Sequence, residues 1–434
     1  MSCQLGVLQR CFPSSIRRIL DELPKSLYET YERILREILE HNQEHAHRLL
    51  QCLVAAVRPL KVEELAEFLA FDFDAEGIPK LNVDWRWEDQ EEVIMSVCSN
   101  LITIVTDQDS RIVQFSHFSV KEFLTAEQLA EPFRDVSRYY IRPETAHTVL
   151  IRACLGVLLR LDDDVNQDNI KNFPLAHYSA QYWTTHARFQ VESSHIRDGM
   201  ECLFDADKPH FATWLWIYND DQDGRSMSTM RPEKPEAVPL YYAASFGFRD
   251  LAEHLIAKHP EHVTAKGGKA VTAVHVAARE GYADILSLLL GHGADVDGRD
   301  LNGQTPLHRA AWTAKVDTGK YLLDHGANIN DQCDYKYTPL LLAAIQGHAE
   351  FARMLLERGA AIDVRIMTGD SPLHLAAQVG KIPTVQLLLE HGADVNACNI
   401  YGQTPSELAS GKRRQEIVKL LLEYGAEYIF DVVP

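Results

Sequence analysis

The second half of this chain repeats itself every 33 residues, and that period constrains the fold more than any other feature. TAVHVAA begins at residue 272, TPLHRAA at 305, TPLLLAA at 338, SPLHLAA at 371 and TPSELAS at 404. A second ladder keeps the same step: Gly293, Gly326, Gly359, Gly392 and Gly425 each sit in an LL-x-x-G-A phrase. A worn copy, VPLYYAASFGFRDLAEHLI, precedes them from Val238, which makes about six units over 238–434. So short a unit cannot bury its own apolar face. Neighbours must stack, and the chain must extend as a solenoid.

The letters of one unit explain its shape. Thr305 suits a helix N-cap, and Pro306 the first helical position, where no N–H is required. Ala310 and Ala311 let the next helix pack close. Gly281, Gly347 and Gly380 stand where a first helix must stop. Phrases such as ILSLLL and VQLLLE form a second helix that ends at the laddered glycine. Asn302-Gly303 and Tyr401-Gly402 suit a hairpin turn to the next unit. This pattern, T-P-L-H-x-A at a period of 33, resembles the ankyrin repeat. In that family His308 and His374 brace turns by hydrogen bonding, and the solenoid binds protein partners through hairpin tips and the exposed face of each first helix. Carried over by register, the tips offer Arg299, Tyr335, Lys336, Tyr337, Arg365, Met367 and Tyr401. The helix face offers Arg279, Trp312, Ile345, Gln346 and Gln378. Trp, Tyr and Arg are the types enriched at binding hot spots. Several units depart from the pattern. Ala314 replaces a stop glycine, Lys336 a hairpin glycine, and the first unit has His259-Pro260 in place of its terminal glycine.

The first half has another style. LPKSLYETYERILREI (23–38) reads as a helix opened by Pro24, HAHRLLQCLVAAV (45–57) as a second, and RPLKVEELAEFLAFDF (58–73) as a turn and a third. LITIV and RIVQFS flank the polar turn TDQDS, which predicts a hairpin running into a helix. Helices followed by a hairpin is the order of a winged helix. The phrases LPKSLYETYERIL, RPLKVEELAE and VQFSHFSVKEFL together resemble the segment after the ATPase core of fungal NACHT-type NTPases of the STAND class. A similar winged helix occurs in proteins named after GPI inositol-deacylase. The resemblance implies a helical segment at 1–57, a winged helix at 58–135, further helices at 136–217 and a linker at 218–237 before the repeats. The fold class expected is mainly α, a winged-helix and helical region followed by an ankyrin solenoid with short hairpins.

QFSHFSVKEFL (114–124) places His117 between two serines, which invites a nucleophilic reading. No acidic residue orients the histidine and no oxyanion-hole glycines stand nearby, so packing is the expectation. The resemblance implies that Ser116 or Ser119 caps the following helix. HNQEH (41–45) matches an inverted zinc-protease pattern, but His41 falls after a helix end. DDDVNQDNIKNF and NDDQDGRSMSTM begin or turn like calcium loops and lack the terminal glutamate. The G-K pairs at 268, 319, 380 and 411 lack both the upstream glycine and the following Ser/Thr of a P-loop. No ATPase is therefore expected of this chain, and no cofactor or metal. It reads as the sensor arm of such an NTPase, either a truncated paralogue or the remainder of a longer protein.

Charge and cysteines narrow the partners. Residues 1–236 carry 25 basic and 39 acidic side chains, and the whole chain has net charge −19. No basic face for nucleic acid or anionic membrane is expected. Eight scattered cysteines with no C-x-x-C fit a reduced, cytoplasmic protein. A non-enzymatic protein-binding role follows, with the regulatory half of an ATP-driven switch as the alternative and winged-helix DNA binding as a weaker one.

Overall fold

A computed structural model describes residues 27–73, 77–98, 100–107, 110–131, 135–162, 164–189, 193–223, 235, 237–411 and 414–427. Pro24 and the second calcium-like loop beyond residue 223 lie outside these. The chain divides into two compact units, Met1–Lys234 and Pro235–Pro434.

In the first unit, helix Leu27–Arg36 buries Thr30, Tyr31, Ile34 and Leu35 on one face, as its spacing requires. Tyr28 and Tyr31 pack on Phe123 at ring distances of 5.1 and 5.4 Å. Helix Gln43–Ala55 follows, then strand β1 (Leu60–Lys61) and helix Val62–Leu69. A small antiparallel pair comes next, β2 (Phe71–Asp72) with β3 (Lys80–Leu81), and then helix Gln90–Cys98, to which the sequence reading assigned no element. Strands β4 (Ile102–Asp107) and β5 (Ser110–Phe115) form the hairpin, and β1 adds to its free edge in the order β1-β5-β4. Helices Gln43–Ala55, Val62–Leu69 and Gln90–Cys98 with this three-stranded sheet and its long hairpin make a winged helix.

Helices Pro143–Leu158, Ala176–Ala187, Ser194–Leu203 and Pro209–Asp223 complete the unit. Their aromatics form a core, as expected for Tyr178, Trp183, Trp214 and Trp216, which are buried, whereas Tyr182, expected in the same core, is only half-buried at its edge against Tyr178. Trp183 meets Trp214 edge-on at 5.4 Å, and the Trp214 indole N–H donates to the Ala180 carbonyl. Glu67 ties the winged helix to these helices. Its carboxylate accepts from the Leu175 amide at 2.9 Å and pairs with Arg86. Burial pushes its pKa up against those partners.

Among the described residues the second unit holds six helix pairs. The first helices are Pro239–Phe246, Ala273–Glu280, Pro306–Trp312, Pro339–Gln346, Pro372–Val379 and Pro405–Gly411. Each is followed by an antiparallel partner, the last being Gln415–Glu423. The buried residues Leu373, Ala376, Ala377, Val385, Leu388, Ala409, Ile417 and Leu421 form one core across the last two pairs, joined by Ala344 of the pair before. Each such leucine contributes about 1.5–3 kcal/mol by leaving water. None would be covered in an isolated unit, which is why the stack is the folding unit.

Candidate protein-binding face

The repeat histidines brace the stack. At Thr272, Thr305 and Ser371 the N-cap hydroxyl and the N3 histidine form a reciprocal capping box. The Nδ1 atom of His308 accepts from the Thr305 amide, and its Nε2–H donates to the Tyr337 carbonyl, 2.9 Å away in the next unit. His275 and His374 repeat this toward Gln304 and Gln403 at 3.0 Å each. Burial lowers the pKa of all three, which suits the neutral ring this double role needs. Thr338 caps with no histidine, since Leu341 stands at N3.

The hairpin tips are held by a main-chain bond across each turn: Asp300 to Gln304, Cys333 to Tyr337, Ile366 to Asp370 and Asn399 to Gln403, at 3.0–3.1 Å. They are turns rather than strands, because nothing longer is paired. Adjacent tips also join, through Leu301 N–H to the Lys269 carbonyl, Asp334 to Asn302 and Ile400 to Thr368. Asp300 anchors one turn. Burial would raise its carboxyl, but the Gln304 amide, Arg309 and the Asn302 amide hold it below its ordinary value.

On this framework Leu301, Tyr335, Met367, Ile400 and Tyr401 stand 60–69% exposed. Leu301, Met367 and Ile400 occupy one repeat position, and Tyr335 and Tyr401 the next, so the five form a ridge along successive tips. Leu301 and Ile400 were missed in the sequence, although counting 33 residues either way from Met367 or its column would have found them. Lys336 is exposed beside the ridge, and Tyr337 is half-buried. Arg299 and Arg365 are engaged within the stack. Arg299 donates to the Gln332 carbonyl and pairs with Asp331, while Arg365 donates to the Cys398 carbonyl. They hold neighbouring tips in register.

On the helix face Arg279, Trp312, Ile345 and Gln378 form a second column. Trp312 is 48% exposed; Arg279, Ile345, Gln346 and Gln378 are half-buried. Arg279 pairs with Glu280 at 2.7 Å.

His117 is itself the helix cap, which corrects the assignment of that role to Ser116 or Ser119. Its Nδ1 accepts from the Ser119 amide at 3.2 Å and lies 2.6 Å from Ser119 Oγ. Ser119 Oγ in turn meets Tyr31 Oη at 2.8 Å, buried between two helices. Ser116 instead bonds the Leu101 carbonyl. The serine faces a tyrosine hydroxyl, so the pair ties helix Phe118–Thr125, which follows the wing, to helix Leu27–Arg36. His41 lies in the 3-10 turn Glu40–Asn42 and His45 in the next helix, a short connection as read from sequence.

Comparison with known proteins agrees with this architecture. Models of ankyrin repeats match residues 240–333 and 362–430 (three copies) and 322–365 (many copies). A model described as GPI inositol-deacylase, winged helix domain, matches residues 32–134. The azaphilone pigments biosynthesis cluster protein L of Monascus ruber is 33% identical over 294 residues, covering 64% of this chain and 61% of that protein. The chain thus spans less than two thirds of that relative. BCL-6 corepressor-like protein 1 of Mus musculus is 40% identical over 58 residues, 13% of this chain and 3% of its own length. The chain is a mainly helical protein that carries a winged helix of the GPI inositol-deacylase type followed by a stack of ankyrin repeats.

Proposed function

We propose that the chain is a non-enzymatic interaction arm that captures a protein partner on the hairpin edge of its repeats. The observation that carries this is the ridge of Leu301, Tyr335, Met367, Ile400 and Tyr401, large apolar side chains held in the open by turns that are hydrogen-bonded to one another. Exposed side chains gain from desolvation by a partner, and a rigid backbone loses little entropy on binding. Trp312 and Lys336 extend the face. The test is to pan a displayed peptide library on the full chain and rebind the enriched peptides to the Tyr335→Ala/Met367→Ala/Tyr401→Ala variant. A loss of at least tenfold in affinity is expected; undiminished binding would remove the assigned face.

A second reading is favoured by the winged-helix match. In it the same arm is the regulatory half of an ATP-driven STAND switch, with the P-loop upstream or in another chain. The intact mass of the native protein, with the transcript read upstream of Met1, tests it. A mass near 49 kDa with no upstream coding exon would leave the stand-alone adaptor.

DNA is the weakest partner in this reading. Helix Val62–Leu69 has no exposed residue, and Glu64 and Glu67 are spent on Arg58 and Arg86. The next helix opens with Glu91 and Glu92, which would repel phosphates. No helix among the described residues is long and apolar enough to cross a membrane. The cytoplasm is the compartment proposed, from the unpaired cysteines Cys52, Cys98, Cys154, Cys202, Cys333 and Cys398.

A further inference from the structure

The first repeat breaks the glycine ladder. Helix-stop and ladder glycines lie twelve residues apart in the pairs Gly281–Gly293, Gly347–Gly359 and Gly380–Gly392. Twelve residues after Gly247 stands His259, followed by Pro260. His259 has φ −136°, not the left-handed value of the ladder glycines. The chain therefore leaves the helix into a 3-10 turn, Pro260–Val263, and among the described residues no later repeat has one after its second helix.

That turn gathers ligand atoms. His259 Nδ1 lies 3.3 Å from Glu261 Oε1, and His262 Nε2 lies 4.0 Å from the same oxygen. One ligand atom from each of the three residues falls within 4.8 Å of the others, the one such group among the described residues. His262 Nδ1 is buried with no hydrogen-bond partner, so Nε2 is the nitrogen turned to the carboxylate. Glu261 is mostly exposed and His259 a quarter exposed.

We propose that His259, Glu261 and His262 form a binding site for a divalent transition-metal ion such as Zn²⁺, open on its solvent side. Two imidazoles and a carboxylate are a zinc-type donor set, and with bonds of about 2.0–2.2 Å two ligands of a tetrahedral ion stand about 3.4 Å apart. His259 and Glu261 already meet that spacing. The imidazole rings are 4.8 Å apart and 21° from parallel. His259, the more exposed ring, turns about its side-chain bonds to bring its lone pair onto the ion. A fourth position stays free for water or for a donor side chain of a bound protein. Metal held there would clamp the end of the second helix of the first repeat, where the glycine stop is missing.

The test uses the full chain, in reducing buffer, titrated with Zn²⁺ by calorimetry and by thermal unfolding. The wild type should bind one equivalent more than the His262→Ala variant, and Zn²⁺ should raise its unfolding temperature by an increment that the variant lacks. His259→Gly restores the residue type used by the other repeats, so it should fold and still lose that equivalent. Glu261→Gln should weaken the site at least tenfold. Equal stoichiometry and equal affinity in wild type, His259→Gly and Glu261→Gln would overturn the site, whether or not His262→Ala folds. Peptide capture on the hairpin ridge is read separately and does not depend on this result.

Discussion

Single positions carry the clearest consequences. Ala314 (φ 57°) and Lys336 (φ 61°) adopt the left-handed backbone at places where other repeats use glycine. That conformation costs a residue with a Cβ about 1–2 kcal/mol. Ala314→Gly and Lys336→Gly should each stabilise the repeat unit by about 0.5–1 kcal/mol, the cost being partly offset by the looser unfolded chain. Urea denaturation checks this, and Lys336→Gly also shows whether that side chain helps binding. Gly326 is the reverse case. Its φ is 91°, and a Cβ there would meet nothing within 4 Å, so the penalty for Gly326→Val comes from the backbone rather than from a clash at Cβ. A loss of about 1–2 kcal/mol or more is expected for a β-branched residue. Both anomalies were legible in the sequence as breaks in a pattern. Gly156 was not, because its reason lies 77 residues away. A Cβ on it would sit 2.6 Å from the Pro79 carbonyl and 2.9 Å from the Phe71 ring. Gly156→Ala should therefore cost about 1–3 kcal/mol by overpacking, read in the same urea experiment.

At the scale of elements, helices Pro143–Leu158 and Ala176–Ala187 are joined by a buried chain of rings. His147 Nδ1 lies 2.8 Å from His186 Nδ1, and Tyr178 Oη is 3.0 Å from His186 Nε2. Burial, with His147 adding a smaller effect, pushes the His186 pKa down to about 3; burial likewise lowers His147. Both titrate near 6.5 in the unfolded chain. Below that pH the unfolded state binds protons that the folded state refuses, so stability falls as pH drops from 6.5 toward 3. Each such histidine gives a slope approaching about 1.4 kcal/mol per pH unit. His186→Gln should flatten this dependence between pH 6 and 4, monitored by denaturation midpoints. The helices themselves were legible from 3.6-residue periodicity, and so was the hairpin of β4 and β5. Helix Gln90–Cys98 escaped notice because only Ile94, Val97 and Cys98 are buried, too few for a visible stripe. The cap at His117 also escaped, since serine is the commoner cap and a ring nitrogen in that role is decided by φ of −153° and ψ of 145° at the site.

For the whole molecule, two compact units predict two unfolding steps rather than one. Gly326→Val should move the step of the repeats alone, and Gly156→Ala that of the winged-helix unit alone. A single transition displaced by both would mean that the units unfold together. The repeats were readable in full from the chain, because nearest-neighbour stacking makes every unit solve the same local problem and stamp its answer every 33 residues. Caps, stop glycines and turns are short-range chemistry, and short-range chemistry is written in adjacent letters. The same reading named a face with Tyr335, Met367, Trp312 and Tyr401 on it. It could not tell that Arg299 and Arg365 are tied to the next hairpin, or that Leu301 and Ile400 stand free beside them. Nor could it show that one misplaced histidine draws Glu261 and His262 together. Those facts depend on which atoms meet across a turn or between units, and side-chain distances of that kind exist only once the backbone has closed. Local propensity thus determined what each segment became, and tertiary packing alone decided which of its polar and apolar groups were left exposed.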